Sequence, residues 1–182
     1  NNEIKASSKT LKKDSLKSIE TYSQGLKYTD GATKRFIDEI NQLDKDVTVV
    51  FYGDHLPGIY SYKDGKSIID KNFALGHLTD YFIYNNKNNQ KLDYPVVAPY
   101  EFTSLAMTQT NAKVTPFYAL MTQVQNELPA LEINRYIDNA RHSGTLMNLS
   151  ATQRNLLEDV KMVQYDIYSN QNYLGRSFYQ KE

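Results

Sequence analysis

The sequence contains no cysteine, and it has only 5 prolines and 8 glycines among its 182 residues. Without cysteine, disulfide bonds and thiolate metal sites are excluded. The 21 Lys and Arg residues balance the 21 Asp and Glu residues, so no net charge attracts nucleic acid or an anionic membrane. No apolar run approaches the roughly 18 residues that a membrane-spanning helix needs. We therefore expect no nucleic-acid partner, and no membrane anchor within this sequence.

The composition is that of a folded protein. The hydrophobic content of 40% and the charged content of 23% are close to globular averages. Apolar positions recur every three to four residues over residues 14–43, which predicts a long amphipathic helix that packs on a sheet. Gly25 and Gly31 each weaken that helix by up to about 1 kcal/mol relative to alanine, so we expect a kink or a break near them.

The strongest chemical signal follows the next apolar run. Residues 47–52 are β-branched and aromatic, a pattern typical of a strand buried on both faces of a parallel sheet. The run stops at Gly53, and Asp54 and His55 come directly after it. A carboxylate beside an imidazole at the carboxyl end of a strand is suited to holding a divalent cation. On spacing alone, a plain turn with a satisfied hydrogen bond is the commoner explanation.

The neighbouring residues add a family resemblance. Residues 51–58 (Phe-Tyr-Gly-Asp-His-Leu-Pro-Gly) resemble the Gly-Asp-His motif of sulfatase-like enzymes of the alkaline phosphatase superfamily, and are most similar to the lipoteichoic acid synthase branch of Gram-positive bacteria. Residues 22–30, 79–84 and 111–129 extend the likeness, which covers roughly the first 130 residues. The resemblance implies an α/β fold in which part of a mostly parallel sheet is flanked by helices, with a helical carboxyl-terminal portion.

The resemblance also implies a role for the motif. Asp54 and His55 would be two ligands of a divalent metal, with Mn²⁺ or Mg²⁺ expected and Zn²⁺ as an alternative. The family's Thr or Ser nucleophile, an acidic metal ligand and the substrate-gripping residues lie upstream of this motif. We therefore expect no catalytic nucleophile in this chain, and its substrate-binding residues are unknown. The chain is expected to be the carboxyl-terminal part of a larger protein whose amino-terminal half completes the site.

The rest of the sequence predicts further elements. Residues 61–76 are expected to form a loop with one helical turn over the carboxyl edge of the sheet, and residues 81–84 a second strand. Tyr60 and Tyr62 follow the ligand pair on the segment expected to border the pocket. Residues 85–91 are expected to be a solvated loop. Helices are predicted over residues 100–108 and 116–128. A further helix is predicted after a capping box of Ser150 and Gln153, with an apolar stripe formed by Leu156, Val160, Val163 and Ile167. We assign residues 1–130 to the catalytic domain and residues 131–182 to its helical extension.

The sequence contains two further histidines outside the motif, His77 and His142. His77, just before the second strand, could contact substrate, but a hydrogen-bonded structural histidine is the favoured interpretation. His142 is predicted to lie in a solvated loop. Ser143 cannot generally pair with its sequence neighbour His142, because nucleophile and base are brought together across space.

The leading functional hypothesis is a fragment of an extracellular phosphoglycerol transferase. The resemblance implies that the intact, membrane-anchored enzyme attacks a phosphatidylglycerol headgroup with a Thr alkoxide, or acts on a wall polymer, at the outer face of the cell membrane. One alternative keeps the site but releases product to water, as a sulfatase or phosphatase does. The other alternative is a wall-polymer-binding or structural domain without turnover.

Overall fold

The computed structural model describes residues 2–59, 74–88 and 90–180. The chain divides into two compact units, Asn1–Phe82 and Ile83–Glu182. The predicted loop over residues 61–76 falls largely outside the described residues, as do Tyr60 and Tyr62. The predicted domain boundary at residue 130 stays a prediction. None of the helices in the described ranges combines the length and apolar character required to cross a bilayer.

The first unit begins with one long helix, α1, which spans Lys13–Ile40. It runs through Gly25 and Gly31 without interruption, so the predicted break is wrong. The glycine penalty is small compared with the cooperativity of a 28-residue helix. An i,i+4 pair between Lys34 and Asp38, with 2.6 Å between Nζ and Oδ2, supports the helix just after the second glycine.

The apolar stripe of α1 is only partly covered. Ile40 is buried, whereas Tyr22, Leu26 and Phe36 are all exposed. The expectation that this whole face packs on the sheet is therefore wrong for this chain by itself. A long helix with an open apolar face has surface available for further packing.

Strand β1 spans Thr48–Tyr52 and pairs with β2, which spans Tyr81–Asn85. Across the pair the rings of Phe51 and Phe82 stack with their centroids 4.9 Å apart. Both strands were predicted, but the burial of β1 on both faces was not correct. Phe51 is 39% and Tyr52 51% exposed, because in the described part of the chain β1 has β2 as its one strand neighbour.

The asparagine-rich segment after β2 is less solvated than predicted. Asn85 is buried, and its Oδ1 accepts hydrogen bonds from the backbone N–H groups of Lys87 (2.8 Å) and Asn88 (2.7 Å). This is the local turn that asparagine side chains favour. The turn satisfies the polar side chain, so its burial carries little cost.

The second unit is mainly helical. A 3-10 turn at Pro99–Glu101 leads into α2, and three more helices follow later in the chain. Their bounds are Phe102–Gln109 (α2), Pro116–Glu127 (α3), Ala151–Ser169 (α4) and Arg176–Tyr179 (α5). The core of the unit is formed by Val124, Leu128, Tyr136, Leu149 and Leu156. The α/β class and the helical carboxyl-terminal portion are confirmed.

A small antiparallel sheet interrupts these helices and was not predicted. Its strands are Ala130–Leu131 (β3), Arg135–Ile137 (β4) and Ser143–Thr145 (β5), in the order β3-β4-β5. Strands of two or three residues are too short to show alternation in a sequence. Within the sheet Gly144 lies opposite Tyr136, and a Cβ at that position would come within 3.0 Å of the tyrosine ring.

The amino-terminal cap of α4 supplies a stability prediction. The Gln153 backbone N–H donates to Ser150 Oγ (3.1 Å), and the Ser150 N–H donates to Gln153 Oε1 (3.0 Å), which confirms the predicted capping box. Ser150→Ala should lower the free energy of unfolding by about 1 kcal/mol, measured by urea denaturation. Ser150→Asp keeps an acceptor and serves as the control. Equal stability of the alanine variant and the parent would show that the cap contributes nothing.

Candidate metal site

The predicted ligand pair lies directly beyond the end of β1. Gly53 continues the strand pairing for one residue, because its N–H donates to the carbonyl oxygen of Asp80 (3.1 Å). Asp54 and His55 then project from the chain, with their side chains 83% and 76% exposed. Both side chains are therefore accessible to a ligand from outside this chain.

The local hydrogen bonds leave the coordinating atoms unused. The His55 backbone N–H donates to Asp54 Oδ1 (2.9 Å), and His55 Nδ1 lies 2.7 Å from the carbonyl oxygen of Leu56. A carbonyl can only accept, so Nδ1 carries the proton and the lone pair of the neutral ring is on Nε2. A backbone carbonyl at one ring nitrogen is the usual support for a histidine that binds metal through the other.

The two remaining atoms face each other at a distance that suits a shared ion. Asp54 Oδ2 and His55 Nε2 are 3.6 Å apart, which is longer than a hydrogen bond. Two atoms at this separation would be able to bind the same ion. An oxygen and an imidazole nitrogen form a donor set for Mn²⁺, Mg²⁺ or Zn²⁺. The residues present therefore fit a divalent metal.

The pair is an incomplete coordination shell by itself. Within residues 2–59, 74–88 and 90–180, no group of three or more His, Cys, Asp or Glu side chains is placed to hold an ion. A stable site needs three or four protein ligands. Asp54 and His55 can thus supply half of such a shell.

The other histidines are placed differently. His142 lies in the exposed turn between β4 and β5, as predicted, and its Nδ1 is 3.2 Å from Asp138 Oδ2. Here the carboxylate is already engaged by the imidazole, whereas Asp54 Oδ2 and His55 Nε2 have no such bond. His77 ends a 3-10 turn, Leu75–His77. Its assignment as a structural histidine stays a prediction.

Thr79 supports the motif and was not singled out from the sequence. Its Oγ1 donates to the carbonyl oxygen of Gly53 (2.7 Å). A Cβ on Gly53 would lie 3.0 Å from Thr79 Cβ, so any larger residue at position 53 would have to displace the threonine side chain. In the sequence Thr79 is marked only by its position two residues before β2.

Glu101 is a second residue that the sequence analysis missed. It is completely buried, and its carboxylate accepts one hydrogen bond among the described residues, from Ser104 Oγ to Oε2 (2.5 Å). Burial raises the pKa of Glu101 to about 7, and the bond from Ser104 opposes that rise. In the sequence it looks like an ordinary acidic residue in the first turn of a helix.

Asp166 is a buried carboxylate with a structural role. It accepts hydrogen bonds from Tyr173 N (2.6 Å), Leu174 N (3.3 Å) and Tyr179 Oη (2.8 Å). Burial acts to raise the pKa of Asp166, but the three donors outweigh it and hold the pKa below its usual value. The carboxylate therefore ties the chain after α4 to that helix.

An apolar groove of about 620 Å³ lies beside Asp166 in the second unit. Its walls include Leu120, Met162 and Phe178. None of its lining residues belongs to the predicted metal site, which lies in the first unit. The groove and the metal chemistry are therefore separate features.

Comparison with known proteins agrees with the motif. Residues 2–124 match the family model described as Sulfatase. The structure is similar to that of Streptococcus pyogenes phosphoglycerol transferase GacH in complex with sn-glycerol-1-phosphate, with 30% sequence identity and a TM-score of 0.78. The likeness covers 98% of this chain and 42% of the GacH chain.

Two proteins of Rhizobium meliloti (strain 1021) are also similar. The capsular polysaccharide biosynthesis protein RkpI is 44% identical over 46 residues, which is 25% of this chain and 9% of RkpI. A protein named for cyclic β-1,2-glucan modification is 27% identical over 110 residues, covering 55% of this chain and 17% of its own length. This chain thus spans less than half the length of each of these three proteins.

Proposed function

The chain belongs to the sulfatase family, and from this premise we propose that it is the carboxyl-terminal part of a metal-dependent phosphoglycerol transferase. One observation carries the proposal above all. The chain follows the structure of a phosphoglycerol transferase along 98% of its length, at 30% identity. The resemblance to lipoteichoic acid synthases points to the same reaction class, and the family-level part of that resemblance is confirmed.

Within this proposal Asp54 and His55 hold one side of a divalent metal, which we propose to be Mn²⁺ or Mg²⁺. The bound ion would stabilise the negative charge that develops on the phosphoryl group and on the attacking alkoxide. Asp54 contributes a hard anionic oxygen, and His55 contributes Nε2 in the tautomer that Leu56 O selects. The nucleophile is proposed to come from elsewhere in the protein.

We propose phosphatidylglycerol or a wall polymer as the substrate, and the outer face of the cell membrane as the place of action. The name of GacH refers to phosphoglycerol transfer, and the absence of cysteine is compatible with an oxidising exterior. Protease treatment of intact cells tests the location. The domain should be cleaved from outside, and protection until lysis would contradict it.

We propose that the partner of this chain is the amino-terminal half of the same catalytic domain. The GacH chain has more than half of its length outside the region matched here. The first unit exposes apolar side chains on α1 and on β1, among them Leu26, Phe36 and Phe51. Exposed apolar surface of this kind marks an interaction site. The upstream half of the domain is the occupant that would cover it.

A sulfatase-type hydrolase is the second candidate, favoured by the family model that matches residues 2–124. The Asp54–His55 pair could serve either reaction, so the substrate decides between them. The full-length enzyme should release diacylglycerol from phosphatidylglycerol in a Mn²⁺-dependent way, with little hydrolysis of an aryl sulfate or aryl phosphate. If the enzyme hydrolyses an aryl ester rapidly and leaves phosphatidylglycerol uncleaved, the hydrolase is favoured.

The isolated chain of residues 1–182 should show no transferase, phosphatase or sulfatase turnover and should bind Mn²⁺ weakly. It supplies two adjacent ligands, and loss of half a ligand set removes most of the chelate advantage. Calorimetric titration with Mn²⁺ and turnover assays on the purified chain measure both. A micromolar or tighter Mn²⁺ site, or robust metal-dependent turnover, would contradict the proposal that the site needs a second half.

A further inference from the structure

We propose that Thr79 is a positioning residue for the metal ligands Asp54 and His55. This inference rests on the proposed function, because it assigns a role at the same metal site. Thr79 precedes β2 and is 25 residues away from Asp54 in the sequence, yet its hydroxyl binds the peptide that carries Asp54. It offers no ligand itself, and it acts through the backbone.

The contact restrains the orientation of a single peptide plane. The carbonyl oxygen of Gly53 accepts from Thr79 Oγ1 at 2.7 Å, and the same peptide unit supplies the backbone nitrogen of Asp54. Because the peptide is planar, fixing its oxygen also fixes the direction in which the Asp54 Cα leaves the strand. The positions of the Asp54 carboxylate and His55 Nε2 depend on that direction.

Two further contacts hold the same segment. The N–H of Gly53 donates to Asp80 O at 3.1 Å, so both polar groups of Gly53 are bonded to the residues that lead into β2. Thr79 Cβ would lie 3.0 Å from a Cβ built on Gly53, so the threonine packs directly against this residue. A strand end held on both sides limits the movement of the two exposed side chains beyond it.

Removal of the Thr79 hydroxyl should therefore increase the movement of Asp54 and His55 while leaving both side chains in place. Changes to groups that support metal ligands typically cost 10–100-fold in metal affinity. Since Thr79 acts one peptide away from the ligands, we expect Thr79→Val to weaken Mn²⁺ binding by about 10-fold. Thr79→Ser keeps the hydroxyl and should restore binding close to the parent value.

The experiment uses the full-length protein with Mn²⁺ as the probe. Free and bound Mn²⁺ are counted by electron paramagnetic resonance, and the melting temperature is recorded in excess EDTA. Thr122→Val is the matched control, because it removes a similar hydrogen bond, Thr122 Oγ1 to Tyr118 O (2.8 Å), within α3. Should Thr79→Val not fold, Thr79→Ala removes the same hydroxyl with a smaller side chain.

Weaker Mn²⁺ binding in Thr79→Val, recovery in Thr79→Ser and no change in Thr122→Val support the positioning role. A lower melting temperature for Thr79→Val with unchanged Mn²⁺ affinity would show a purely structural threonine and overturn the inference.

The variant Asp54→Ala distinguishes failure of the inference on Thr79 from failure of the proposed ligand assignment. If it abolishes Mn²⁺ binding while Thr79→Val has no effect, only the inference on Thr79 fails. If Asp54→Ala leaves Mn²⁺ binding unchanged, the ligand assignment fails, and the inference fails with it.

Discussion

Asp54→Ala and His55→Ala are each expected to reduce turnover by the full-length enzyme by at least about 10²–10³-fold. On the proposed assignment each substitution removes one direct metal ligand, and the metal would then be misplaced for stabilising the charge on the phosphoryl group. Both side chains are exposed beyond the end of β1. Their truncation removes no core contacts, so we expect the melting temperature of the metal-free protein to stay close to the parent value.

Two control variants make that result specific. His142→Ala removes the imidazole of a second Asp–His pair, in which Nδ1 is 3.2 Å from Asp138 Oδ2. Leu56→Ala changes the residue next to the pair but keeps the carbonyl that binds His55 Nδ1. Both variants should retain parental turnover. Near-parental turnover and metal content in Asp54→Ala and His55→Ala would show that the pair is only a turn.

The second large effect concerns the buried Glu101 and the pH dependence of stability. Burial raises the pKa of Glu101 from its usual 4.5 to about 7 in the folded chain, so between these pH values the folded state binds more protons than the unfolded state. The contribution of neutral Glu101 to the free energy of unfolding is therefore fully present below about pH 4.5, and it is lost as the pH rises through 7. The rise in the pKa of Glu101 from 4.5 to about 7 corresponds to a loss of about 3 kcal/mol of stability.

The glutamine variant should remove this dependence. Glu101→Gln keeps the side-chain volume and an oxygen that can accept from Ser104, but it does not ionise. Urea denaturation at pH 5 and pH 8 should show the variant gaining up to about 3 kcal/mol over the parent at the higher pH. Glu158→Gln, an exposed residue paired with Lys161, should keep the parental dependence. Parallel pH profiles for the parent and Glu101→Gln would contradict the assignment.

Elements with strong local signals could be predicted from the sequence. The capping box of Ser150 and Gln153 and the Pro at the start of α3 are encoded within a few residues, and the structure places both as expected. Strand β2 was visible as a run of apolar and aromatic residues. The motif at Asp54 and His55 identified the family because it combines a strand, a glycine and two ligand types in a fixed order.

Features that depend on long-range contacts were not visible. The predicted burial of β1 was wrong because a strand's sequence reflects the environment of a whole sheet, whereas Phe51 is 39% exposed in the described part of this chain. The short strands of the antiparallel sheet are defined by pairing across β4, such as Tyr136 with Gly144. Thr79 and Glu101 are polar residues whose roles follow from contacts with Gly53 and Ser104, and neither contact leaves a periodic trace.

The metal assignment is tested most directly by locating Mn²⁺ in crystals of the full-length protein by anomalous scattering at the manganese absorption edge. We predict an anomalous peak about 2.1 Å from both Asp54 Oδ2 and His55 Nε2, with the remaining ligands supplied by residues upstream of this sequence. Occupancy should be lost in crystals of Asp54→Ala. A fully occupied manganese peak that touches neither Asp54 nor His55 would contradict the assignment of this pair as metal ligands.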